Sequence, residues 1–169
     1  ASNWRMLKET LINYLGIPDS NLFPVNTQAA SPEKAALEYA SDLIRFFDLK
    51  PGQAPAFDFL LAGLGEDGHT ASLFPGDSLV EESRRLCVPV IHEKLMHDRV
   101  SLTFPVINRA RNLYFMICGT GKARVFAEVL KGSDKRLPAS LAAPASGELI
   151  YLLDSRAMNQ LQVGGQYQN

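Results

Sequence analysis

The sequence predicts an α/β fold in three layers, a mainly parallel sheet with helices on both faces, and three observations carry that expectation. Short apolar runs closed by turn residues alternate with segments of helical periodicity, the pattern of parallel strands joined by crossover helices. Residues 57–62 form one such run, rich in Phe and Leu and ending on glycines, as a fully buried parallel strand does. A chain of 169 residues, 46% hydrophobic and 21% charged, suits a single soluble domain with a sizeable core. The class is the doubly wound, Rossmann-like one, and residues 1–169 are expected to form one α/β domain.

Each element has a local reason. Trp4, Leu7, Leu11, Tyr14 and Leu15 recur at helical spacing before Gly16 and Pro18, which stop a helix. Ser31 is placed as an N-cap with Pro32 in the first helical position, and Leu37, Ala40, Ile44 and Phe47 are expected to face inward until Pro51-Gly52. Further strands are expected at residues 86–91, 100–104, 113–118 and 149–153. A helix over residues 121–130 should turn Val125, Phe126, Val129 and Leu130 inward. Residues 160–169, ending in Gly-Gly-Gln-Tyr-Gln-Asn, read as a frayed tail.

Composition excludes several function classes. A net charge of −1 removes the electrostatic case for nucleic acid, so an anionic ligand would have to be held by a few local cations. Cys87 and Cys118 lie far apart in apolar runs, without metal-site spacing, and are expected to be buried small hydrophobes. No signal core and no apolar run of ~20 residues occurs, so no membrane partner is expected and a reducing cytoplasm fits.

Chemistry concentrates in residues 63–76, GLGEDGHTASLFPG, directly after the strand expected at 57–62. Ligands of open α/β sheets collect beyond the carboxyl ends of strands, where glycines such as Gly65 and Gly68 let the backbone turn sharply and approach a substrate. Asp67 and His69 emerge there together. A histidine takes a proton from water near neutral pH, and a nearby carboxylate fixes its tautomer and stabilises its cation. Gly63, Gly65 and Gly68 spell a dinucleotide fingerprint, but Glu66 and Asp67 put negative charge where a pyrophosphate would sit and Pro75 limits the following helix. Gly121-Lys122 is no nucleotide P-loop either, since the first glycine would fall at Met116 and Ala123 replaces the magnesium-binding hydroxyl. His92 and His97 lack metal spacing and read as loop residues, and Ser72 lies near His69 without a nucleophile elbow, so water is the expected nucleophile.

Residues 63–76 resemble the motif of the 6-phosphogluconolactonases, within the larger group that includes the glucosamine-6-phosphate deaminases. The resemblance continues through Lys94, through Arg99 and the Val100-Ser101-Leu102-Thr103-Phe104-Pro105 run, and through Asn108, Ala110 and Arg111. It then takes in Gly119-Thr120-Gly121-Lys122-Ala123, Leu137-Pro138-Ala139-Ser140 and Gly147-Glu148-Leu149. Two departures stand out. The spacer Leu95-Met96-His97-Asp98 replaces a proline-rich run, and the family's first strand, its phosphate-binding glycine loop and an Asp-Glu-Arg motif have no counterpart after Ala1.

The resemblance implies hydrolysis of 6-phosphoglucono-1,5-lactone in the pentose phosphate pathway. His69 would activate water with Asp67 as orienter, while Gly65, Gly68, Lys94, Arg99 and Lys122 would bind substrate. It also implies that the domain is partial, with its N-terminal strands missing. The rival readings are an amino-sugar phosphate deaminase or isomerase, which would carry a glutamate where this chain has Phe74, and an inactive sugar-phosphate-binding module.

Overall fold

The computed structural model describes residues 3–92, 95–132 and 134–164. Where local signals are strong, the elements form as their residues dictate. Ser31 caps α3 (Pro32–Phe47) by accepting the Lys34 N–H at 3.2 Å, and Asp48 ends the helix in the left-handed region at φ 50°. The first helical run is continuous from α1 (Asn3–Leu7) through a π-helical segment (Lys8–Ile12) to α2 (Asn13–Leu15), and stops at Gly16 with φ 61°.

The parallel sheet has the order β1 (Leu60–Gly63), β4 (Asn112–Ile117), β5 (Glu148–Leu153), with Leu60 opposite Leu113 and Leu113 opposite Leu149. Strand alternation divides its side chains between two faces. Leu60, Ala62, Leu113, Phe115, Ile117, Leu149, Tyr151 and Leu153 line one face, which packs into the main core. Ala123, Phe126 and Val129 of α5 (Ala123–Lys131) and Ala157 and Leu161 of α6 (Ser155–Gly164) belong to that same core. The α/β class with a parallel sheet is thus the one the sequence predicts.

Several details differ. Residues 86–91 and 100–104 do not join the parallel sheet; β2 (Cys87–Val90) and β3 (Arg99–Leu102) pair with each other, antiparallel. The expected strand ends early because Pro105 favours the first turn of a helix, so that Phe104 opens α4 (Phe104–Ile107) after Thr103. Thr103, fully buried, donates its hydroxyl to the Arg85 carbonyl at 2.6 Å and ties this turn to β2. Of the expected inward face of α3, Ala40 and Phe47 do pack against the core, but the rest of the buried stripe is shifted. Ala36 and Leu43 are buried against Leu86, Cys87 and Val106, while Leu37 and Ile44 stay exposed, because the small Ala36 lets the helix sit close to β2. On α5, Leu130 is exposed rather than inward. Cys87 is buried, and burial pushes its thiol up to about 12, but Cys118 is exposed at the end of β4, where the strand leaves the core. Residues 160–164, expected in a frayed tail, complete α6, and residues 165–169 lie outside the described residues.

The second face of the parallel sheet is not covered by the described residues. Leu61, Met116 and Leu152 are 50%, 46% and 45% exposed, and Tyr114 and Ile150 lie on that same face. Leu7, Leu11, Tyr14 and Leu15 of the first helical run are exposed as well. Single exposed apolar residues are ordinary, but a contiguous row across three strands is an association surface. Covering one such side chain fully is worth ~1.5–3 kcal/mol. No helix among the described residues is long and apolar enough to cross a membrane. The isolated 169-residue chain is therefore expected to self-associate with rising concentration, and Met116→Lys with Leu152→Lys to weaken that association. Sedimentation velocity checks this, and a chain that is monomeric throughout would refute it.

Candidate active site

All three parallel strands deliver their carboxyl ends to one edge of the sheet. β1 runs out at Gly63 into residues 64–76, β4 at Ile117 into the turn holding Lys122, and β5 at Leu153 into Asp154.

The loop after β1 is anchored at its base and shaped by backbone bonds. Leu64 is buried, the Thr70 hydroxyl donates to the Gly63 carbonyl at 3.1 Å, and the Gly65 N–H donates to the His69 carbonyl at 2.9 Å. These bonds close residues 65–69 into a tight loop with Asp67 and His69 on its rim. The Asp67 carboxylate accepts the His69 N–H at 3.1 Å, and its Oδ1 lies 2.6 Å from Nδ1 of the His69 ring. Burial alone would raise the Asp67 carboxyl, but the backbone and ring bonds from His69 together outweigh it and hold the group below the ordinary carboxylate value. Asp67 is thus a carboxylate at neutral pH. Its acceptor-only oxygens place the ring proton on Nδ1 and leave Nε2 with a lone pair for a base.

The glycines act mainly through space and conformation. A side chain on Gly65 would put its Cβ 2.1 Å from His69 Nδ1 and 2.7 Å from Asp67 Oδ1. Gly68 has φ 86°, and a Cβ there would lie 2.8 Å from Leu137 Cδ2. The Gly68 carbonyl accepts the Ala139 N–H at 3.0 Å, so residues 137–139 brace the loop from behind. Leu137-Pro138-Ala139 is one of the stretches that carry the family resemblance, and nothing in its residues indicates this contact.

Three residues around the dyad have contacts that the sequence did not indicate. Phe74 lies against the His69 ring with centroids 4.6 Å apart, and its ring also meets His92 at 5.5 Å. His92, set aside as a loop residue, therefore belongs to the wall of the site. Glu66 reaches across to the second loop, where a Cβ on Gly121 would lie 2.5 Å from Glu66 Oε1. The apolar character of Phe74 and the lack of side chain at Gly121 were the available signals, but neither indicates what it faces.

The expected cations are placed unequally. Lys122 closes a 3-10 turn (Thr120–Lys122) and stands as N-cap of α5, where its charge adds to the helix dipole. Arg99 is exposed at the start of β3, opposite Val90 and so near the end of the ribbon that leads to His92. Lys94 lies outside the described residues. Ser72 is 7% exposed and its N–H is held by the Ser101 hydroxyl at 3.1 Å. Among the described residues no group of three or more His, Cys, Asp or Glu side chains could hold a metal ion.

The fold and this edge define an α/β protein that carries a histidine–carboxylate pair and a lysine-bearing helix start at the carboxyl ends of parallel strands. Residues 1–151 match the family described as glucosamine-6-phosphate isomerases/6-phosphogluconolactonase, and the chain belongs to that family. It is 39% identical over 95% of its length to the 6-phosphogluconolactonase of Synechocystis sp., covering 67% of that protein. To the 6-phosphogluconolactonase of Homo sapiens it is 37% identical over 96% of its length, covering 62%. The solved 6-phosphogluconolactonase of Trypanosoma brucei superposes with a TM-score of 0.79 at 30% identity, over 95% of this chain and 68% of that one. The chain thus spans about two thirds of the length of relatives it matches, 62% of the human one.

Gly65→Ala is expected to displace the imidazole from Asp67, whereas Gly63→Ala, whose added Cβ would meet nothing within 4 Å, is not. Proton NMR of the ring checks this. The hydrogen-bonded Nδ1 proton should be visible in the unsubstituted chain and in Gly63→Ala and absent in Gly65→Ala; its survival in Gly65→Ala would mean the loop yields at no cost to the dyad.

Proposed function

We propose that the protein carrying this chain hydrolyses 6-phosphoglucono-1,5-lactone to 6-phosphogluconate, with His69 as general base. The observation that carries this reading is the 2.6 Å contact of His69 Nδ1 with Asp67 Oδ1 at the carboxyl end of β1. Family membership and the names of the relatives support it.

In this mechanism Nε2 of His69 removes a proton from water as the oxygen attacks the lactone carbonyl carbon. Asp67, held ionised, stabilises the imidazolium that forms. The tetrahedral intermediate collapses by breaking the bond between the carbonyl carbon and the ring oxygen, and the imidazolium returns its proton to that oxygen. One water is consumed, and the histidine ends neutral. The lactone supplies its own electrophile and an internal leaving group, so the chemistry asks for no metal or organic cofactor.

Lys122 is the cation best placed for the substrate phosphate, because a helix start adds backbone dipoles to its ammonium. Lys94 and Arg99 are further candidates, and Gly65 and Gly68 admit the substrate to the loop by staying small. Phosphate binding far from the carbonyl would then serve to position the reacting carbon. Phe74 weighs against a deaminase: its ring packs on His69 where a proton-transferring glutamate would be needed.

His69→Asn should preserve folding and slow lactone hydrolysis by at least ~10²-fold, the low end for loss of a general base. Turnover is measured against the spontaneous rate, and an unchanged value removes His69 from the mechanism. Lys122→Ala should lower the preference for phosphorylated over unphosphorylated gluconolactone by roughly tenfold, the effect of one charge-assisted contact. An unchanged preference in the ratio of the two kcat/KM values would make Lys122 a structural residue.

A further inference from the structure

We propose that Asp154 is a positioning residue for ligand phosphate: from the end of β5 it sets the backbone of residues 119–122 that presents Lys122. The proposal rests on the reading of Lys122 given above.

The geometry is unusual for a residue that only ends a strand. The Asp154 N–H donates to the Ile117 carbonyl at 3.2 Å, continuing the parallel ladder one step past β5. Its two carboxylate oxygens lie 3.1 and 3.0 Å from the Gly119 nitrogen and accept that N–H, and Oδ1 also accepts the Ala157 N–H at 2.8 Å. One side chain thus caps α6 and ties down the turn after β4. The Ala157 bond, then the Gly119 bond, hold the Asp154 carboxyl below the ordinary value, so the tie persists through the neutral range.

On that side the turn also packs against α6. Gly119 has φ 88° and ψ 161°, a conformation reserved for glycine, and nothing lies within 4 Å of where its Cβ would be. On the other side the Glu66 side chain lies against Gly121. Residues 119–121 therefore lie between Asp154, which bonds Gly119, and Glu66, which fills the space beside Gly121, and Lys122 follows directly. A glycine-rich turn released from the Asp154 bond samples more conformations, and ordering it again on ligand binding costs affinity.

The test uses the complete polypeptide that carries these residues, with Asp154→Ala, Asp154→Ser and Asp154→Asn. Serine keeps an N-cap acceptor for α6 but is too short to hold Gly119, whereas asparagine retains an acceptor for both N–H groups. Calorimetry with 6-phosphogluconate should give a Kd raised roughly tenfold in the alanine and serine variants and restored to within about threefold by asparagine. Thermal unfolding of the serine variant should stay close to that of the unsubstituted protein. In hydrolysis, the change should fall on KM for the phosphorylated lactone and not on kcat. Native affinity in the folded serine variant overturns the proposal, as does an asparagine variant as weak as alanine. So does a loss that falls on kcat with affinity intact. Because affinity is read without turnover, an unsubstituted protein that binds 6-phosphogluconate but hydrolyses no lactone would sink the lactonase reading alone; one that binds none would sink both.

Discussion

Parallel pairing of β1 with β4 and of β4 with β5 is the constraint on which the rest of the molecule depends. Parallel strands run in one direction, so their carboxyl ends must emerge along one edge, and each must then be followed by a connection that leaves the sheet. The loop holding His69, the turn holding Lys122 and the carboxylate of Asp154 meet at that edge for this reason, although they are far apart in sequence. The register transmits the constraint: Gly63 stands opposite Met116, and Met116 opposite Leu152, so the three chains leave the sheet nearly level.

Within that frame the dyad is built from very few residues. Asp67 and His69 are two positions apart, and the backbone bonds among residues 63–70 turn both side chains to one side. Such a loop leaves no room for larger side chains, and space fails first at Gly65, directly beneath the imidazole. The electrostatic result follows from the same bonds. Hydrogen bonds to the charged form offset the cost of burying Asp67, and the ionised carboxylate then governs where the histidine keeps its proton. Phe74 limits the ring from its face, so the loop itself defines the position of the ring and, through Asp67, its tautomer.

The second face of the parallel sheet is open among the described residues. Leu61, Met116 and Leu152 are residues suited to a covered face, and the core on the opposite side of the same strands is closed, with Leu113, Phe115 and Ile117 at 0–1% exposure. The continuous apolar runs that suit these strands to a parallel core thus put apolar side chains on the other face as well.

The sequence by itself determined the elements whose signals are local. The Ser31 cap with Pro32, the glycine stop at Gly16, the apolar runs of β1, β4 and β5, and the Asp67–His69 pair could all be read because their causes lie within a few residues of one another. Motif order along the chain likewise sufficed for the family. Only the tertiary structure decided what depends on distant partners. The antiparallel pairing of β2 with β3, the shift in the buried stripe of α3 that buries Ala36 and exposes Leu37, and the exposure of Cys118 depend on which surface each residue meets. The same holds for Phe74 beside His69, His92 beside Phe74, Glu66 against Gly121, and Asp154 on Gly119. Hydrophobic periodicity states that a residue wants cover, and side-chain chemistry states that it can bond, but neither names the partner. That choice is made when strands pair in register, because only then do residues separated by tens of positions come within a few ångströms.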